Sequence, residues 1–160
     1  MILGIVAQGV RAGGAPPEPT SFKYWKMTVT ESLNADQFKV GIAEAGLFVG
    51  ATAASMAGTY SESSAFSAST SAAELVDGQT STSWFSAADA PLPQWALFNL
   101  TTAIAATSIK LTSGNRADRA ARMPTAFTVE GSDDGVTFTV VQSFAGIAAF
   151  GISEMREFTF

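Results

Sequence analysis

Residues 23–30, "KYWKMTVT", alternate in character: Trp25, Met27 and Val29 share one side of an extended chain, and Tyr24, Lys26 and Thr28 the other. A period of two is the signature of a half-buried strand. In "FKVGIAEAGLF" (38–48) Phe38, Val40, Ile42 and Glu44 alternate with Lys39, Gly41 and Ala43, and the intervening "ESLNADQ" carries turn residues. The two segments are predicted to pair antiparallel. Further strands are predicted at 94–100, 107–113, 126–132, 138–144 and 155–160, with a tight hairpin at Asp133-Asp134-Gly135. Helical periodicity is confined to "SAAELV" (71–76), a turn or two at most. This pattern predicts an all-β fold, a jelly-roll β-sandwich of about eight antiparallel strands.

Residues 12–20, "AGGAPPEPT", cannot continue a helix or a central strand. With the apolar tip before them they are read as an extended N-terminal arm over 1–20, either a docking anchor or an unstructured tag, ahead of a domain over 21–160. The tip is broken by Gly and Gln and has no basic leader, which makes a poor signal peptide and too short a membrane span.

Composition narrows the chemistry. The chain of 160 residues has room for one domain, and its net charge of −5 comes with few clustered cations, so nucleic acid is not expected as a partner. It contains neither Cys nor His. That removes thiolate and imidazole catalysis, disulfides and Cys/His zinc sites, and leaves only hard cations on oxygen ligands. Glycoside hydrolysis would need two facing carboxylates. Glu130, Asp133, Asp134, Glu154 and Glu157 each fall in a strand or turn where a solvated acid is expected, and no enzymatic activity is predicted.

Several short motifs recur in a fixed order: Ala65-Phe66-Ser67-Ala68-Ser69; Leu75-Val76-Asp77-Gly78 with Thr82 and Trp84; Trp95 with Leu97 and Leu100; Ile109 and Leu111; Pro124 with Phe127; Ser132-Asp133-Asp134-Gly135 with Phe138; and Arg156 with Phe158. Together, over roughly residues 22–160, they resemble the discoidin family, the coagulation factor V/VIII type C domains of the galactose-binding-like jelly rolls. In the usual layout of that family a strand pair similar to "KYWKMTVT" and "VGIAEAGLF" closes the chain. Here the pair comes first, which implies a circular permutation of the kind seen in structural proteins of tailed bacteriophages.

The resemblance also implies a structural calcium in "LVDGQTSTSW". Asp77 and Glu44 would give carboxylates, Thr82 a hydroxyl and carbonyl, and the chain near Val76 and Gln79 further carbonyls. The alternative is a bare turn in which Thr80 to Thr82 bond the backbone. Trp84 and Trp95 are read as core residues, with faces for stacking on sugar rings as the alternative, and Trp25 is read as core. In the polar loop 113–124, Asn115, Arg116, Asp118, Arg119 and Arg122 are either a ligand edge for hydroxyls or acidic sugars or a solvated loop with internal ion pairs.

The resulting expectation is a non-enzymatic bacteriophage virion protein, a capsid decoration or tail component. It would be held to other virion proteins through residues 1–20, be present in several copies or as a homo-oligomer, and contact host surface glycans. The alternative is a cellular carbohydrate-binding module of the discoidin type.

Overall fold

A computed structural model describes residues 20–34 and 37–160, so the expected arm, apart from residue 20, lies outside the described residues. The strands are β1 (Phe22–Ser32), β2 (Gly41–Ile42), β3 (Glu44–Val49), β4 (Thr52–Ala53), β5 (Gly58–Glu62), β6 (Trp84–Phe85), β7 (Gln94–Ile104), β8 (Ser108–Thr112), β9 (Pro124–Ser132), β10 (Thr139–Phe144) and β11 (Met155–Thr159). Short 3-10 turns cover Ala68–Thr70 and Ala72–Val76, and a single helical turn, α1, covers Ala117–Ala120.

Two antiparallel sheets form the body, ordered β10-β9-β1-β7-β5 and β11-β8-β3-β4, with β2 and β6 as a small third pair. The alternation read from the sequence explains their inner faces. Trp25, Met27 and Val29 of β1 meet Phe98 and Leu100 of β7, Phe127 and Val129 of β9, and Leu47, Ile109 and Leu111 of the opposite sheet in one buried cluster. The fold is thus the expected all-β sandwich.

Three local expectations are corrected. β1 and β3 do not pair: β1 lies between β9 and β7, whereas β3 pairs with β8 and β4 in the other sheet. Both strands carry a fully apolar inner face, and such faces are buried most completely when they oppose each other across the core. Glu44 does not continue the inward face of Val40 and Ile42, because the alternation slips at Ala43 and the buried residues of β3 are Ala45 and Leu47. Trp95 is half-buried and points outward, opposite Thr28 in the ladder; the inner face of β7 is Gln94, Ala96, Phe98 and Leu100. Gln94 tolerates burial because its amide oxygen accepts from Ser63 and Ser64 at 2.6 and 2.5 Å and its nitrogen donates to the Pro91 carbonyl at 2.6 Å.

Trp25 and Trp84 are buried as expected. The Asp133-Asp134-Gly135 turn joins β9 to β10 as a longer loop over 133–138, whose Val136 and Thr137 N–H groups both donate to Asp134 Oδ1 at 2.8 Å.

Candidate functional site

The Asp77 loop starts where the 3-10 turn Ala72–Val76 ends, with Ala72 and Leu75 buried beneath it. Gly78 follows at φ +76°, a left-handed conformation that turns the chain sharply. Asp77 Oδ1 then accepts from the Gln79 N–H at 2.8 Å, and the Thr82 hydroxyl bonds Asp77 Oδ2 at 2.7 Å and the Gln79 carbonyl at 2.9 Å. Trp84 closes the loop in the core, and its indole N–H donates to the Ser64 carbonyl at 2.9 Å.

Glu44, at the start of β3, brings its carboxyl to Asp77 and to the N–H groups of Gly78 and Gln79. Burial, reinforced by Asp77, pushes Glu44 up to about 7. Glu74 is also raised, by burial and by the Asp77 charge. Burial alone would raise Asp77 as well, but hydrogen bonds from Thr82 and Gln79 outweigh it and hold the carboxyl below its usual value.

Glu44 Oε1 is buried without a hydrogen-bond partner. Two adjoining carboxyls with an orphaned oxygen need either a shared proton or a cation between them. The residues therefore fit a hard cation: Glu44 and Asp77 would hold it, and its charge would let both carboxylates stay ionised. Among the described residues no group of three or more Asp or Glu is placed to bind a metal, so hydroxyl and carbonyl oxygens would complete the set. Thr82 and Gln79 lie in the same hydrogen-bonded turn, and Val76 ends the short helix just before it.

The polar loop 113–124 docks onto this turn. The Asn115 N–H donates to the Thr80 carbonyl at 3.1 Å, and the Arg119 guanidinium donates to the Ser81 carbonyl. Arg122 is only 13% exposed and lies 5.1 and 5.3 Å from the ring centres of Phe38 and Phe85. Asp118 pairs with Arg116 at 3.1 Å and more weakly with Arg122 at 3.8 Å.

The five residues proposed as a ligand edge therefore divide. Arg119 and Arg122 use their guanidinium groups inside the fold, Asp118 lies between Arg116 and Arg122 as their shared partner, and Asn115 and the 67%-exposed Arg116 face solvent. We expect Arg122→Ala to lower stability by about 2 kcal/mol through lost stacking and packing, and Arg116→Ala to change it by less than about 0.5 kcal/mol. Urea unfolding of the two variants checks this.

The sequence reading missed the aromatic residues that complete this end. Phe38 meets Phe66 edge-to-face at 4.8 Å and Phe85 at 6.1 Å, and Phe66 remains 56% exposed. Phe66 and Phe85 are fixed to each other through a 3.0 Å backbone hydrogen bond. Nothing in their spacing announces a cluster, because it is assembled from two loops and the short strand β6.

Four of the acids considered for hydrolysis are engaged in the fold. Glu130 pairs with Lys26 at 3.1 Å, Glu154 with Arg156 at 2.6 Å and Glu157 with Lys110 at 3.6 Å, while Asp134 caps its turn. No helix among the described residues is long and apolar enough to cross a membrane.

Residues 57–158 match the model of the F5/8 type C domain, well over half of the chain. No curated protein and no solved structure gave a significant match. The matched stretch runs from β5 into β11 and carries both the Asp77 turn and the Arg loop. Domains of this type are generally non-catalytic modules that bind glycans or other surface molecules. By sequence match and by its antiparallel sandwich, the chain belongs to the F5/8 type C, or discoidin, domain family.

Proposed function

We propose that this chain is a glycan-binding module and not a catalyst, and that it meets its ligand at the end where the Asp77 turn and the Arg loop interlock. The observation that carries this reading is Phe66, 56% exposed yet held edge-to-face against Phe38, whose ring in turn lies 5.1 Å from the Arg122 guanidinium of the loop that carries the exposed Asn115 and Arg116. A fixed aromatic face stacks on a sugar ring, and a guanidinium fork with an amide bonds its hydroxyls or carboxylate. Calcium between Glu44 and Asp77 would stiffen the turn on which that edge rests.

A glycan array with the full chain tests the proposal. We expect binding to a restricted set of glycans, reduced at least about tenfold by Phe66→Ala in a variant that stays folded and loses only the roughly 0.5–1.5 kcal/mol that one aromatic pair is worth. Equal binding by the variant, or no binding to any glycan, would count against it.

The finer reading is that the module decorates a bacteriophage particle, anchored by residues 1–20 and present in several copies. Its support is the resemblance and the permuted order of the strand motifs. Co-sedimentation with particles from the native host, with and without residues 2–20, separates this from a cellular carbohydrate-binding module: the anchor requires that the shortened chain be lost from particles.

A further inference from the structure

Lys23 is the second residue of β1 and Ser32 the last, so roughly 30 Å of extended chain separates the Arg-loop end from the opposite end of the five-stranded sheet. There an open cavity of about 360 Å3 is lined by Lys23, Gly58, Thr59, Asn99, Leu100 and Thr101. Its size lies at the small end of the roughly 300–1,000 Å3 typical of ligand pockets.

The cavity is built from the backbone outward. A Cβ on Gly58 would stand 2.1 Å from the Asn99 carbonyl oxygen, so the close approach of β5 to β7 here admits only glycine and leaves that wall without a side chain. The Asn99 side-chain N–H donates to Thr59 Oγ1 at 3.1 Å, which fixes the amide. Thr59 keeps a hydroxyl hydrogen to donate, Asn99 a carbonyl oxygen to accept with, and Thr101 adds a second hydroxyl. Lys23 Nζ lies 5.6 Å from the Tyr24 ring centre and forms no ion pair among the described residues. None of the six lining residues is acidic, in a chain of net charge −5.

We propose that this cavity is a second binding site, independent of the Phe66 edge, for a small sugar acid. Lys23 pairs with the ligand's carboxylate, and Thr59, Asn99 and Thr101 read its ring hydroxyls. A single ammonium, with neither an Arg fork nor a nest of N–H groups around it, matches one negative charge better than a phosphate dianion.

Titration of the 15N-labelled full chain with D-galacturonate, D-galactose and inorganic phosphate tests the site. We expect saturable shifts of the Lys23, Thr59, Asn99 and Thr101 amides with galacturonate, and binding of galactose about tenfold weaker for want of one charge-assisted hydrogen bond. Lys23→Gln should bring galacturonate down to the galactose level without changing the melting temperature, and Asn99→Ala should weaken both sugars. The proposal is overturned if no sugar shifts these amides saturably, if phosphate binds as well as galacturonate, or if Lys23→Gln leaves the preference intact.

Discussion

A chain shortened to residues 51–160 is expected to show no cooperative unfolding transition, although it contains the whole stretch matched by the family model. The missing residues include β1, the middle strand of the five-stranded sheet, and β3, which pairs β8 with β4. Trp25, Met27 and Val29 are 1, 0 and 0% exposed, so their loss opens the centre of the core. Truncating one large buried side chain costs about 2–5 kcal/mol, and a domain holds only about 5–15 kcal/mol in all. Trp25→Ala alone should lower stability by about 4 kcal/mol. Thermal circular dichroism reads both, and a sharp melt from the shortened chain would show that β1 and β3 are dispensable for folding.

The same segment can be moved without being lost. Phe22 and Phe160 lie against Trp25, with ring centres 5.4 and 5.9 Å away, so the two ends of the described domain meet. A rearranged chain that begins at residue 57, passes from 160 through a short Gly/Ser linker and ends with residues 20–56 should fold with a melting temperature near that of the natural order. Such behaviour would support the view that the natural order is itself a permutation.

Stability of the full chain in the absence of divalent cations should increase as pH falls from about 7 to about 4.5. Glu44 has its folded value raised to about 7 from 4.5, mainly by burial. Its contribution is therefore fully present below the unfolded value and lost as pH rises through the folded one. Glu74 acts in the same direction. Asp77 is shifted the other way and costs stability only on further acidification, as pH falls below its unfolded value of 3.8.

Calcium should reverse this loss, because its charge replaces the proton between Glu44 and Asp77. At pH 7.5 and roughly a hundred times its dissociation constant it should raise the melting temperature by roughly 5–10 °C. At pH 5, where it must displace a proton, the rise should be smaller. Glu44→Gln should flatten the pH response, melt above the unmodified chain at pH 7.5 without calcium, and lose most of the calcium effect. Asp77→Ala should lose that effect as well. A melting temperature unchanged by calcium at pH 7.5 would rule the cation out.

Residues with local causes were legible in the sequence. The alternation of Trp25, Met27 and Val29 places β1, and the turn residues around Gly78 place the Asp77 loop. Glu44 was misassigned because its apparent alternation with Val40 and Ile42 hides a one-residue slip at Ala43, where β2 gives way to β3. Trp95 was misassigned because β7 carries apolar residues on both faces, and the true inner face begins with a glutamine whose amide oxygen is satisfied by serines some thirty residues away. β5, "GTYSE", offers no apolar alternation and escaped notice as an edge strand. The pairing of Glu44 with Asp77 came only from family resemblance. The approach of Arg122 to both Phe38 and Phe85 is a contact between distant segments that no spacing rule reaches.

The edge formed by Phe66 and the Arg loop is the surface proposed to bind glycans. Amide chemical-shift mapping of the labelled full chain, titrated with the strongest glycan from an array, tests it most directly. Saturable shifts are expected at Phe66, Asn115 and Arg116, and Phe66→Ala should abolish those of the two loop residues. Shifts confined to other surfaces, or unaffected by that substitution, would contradict the proposal.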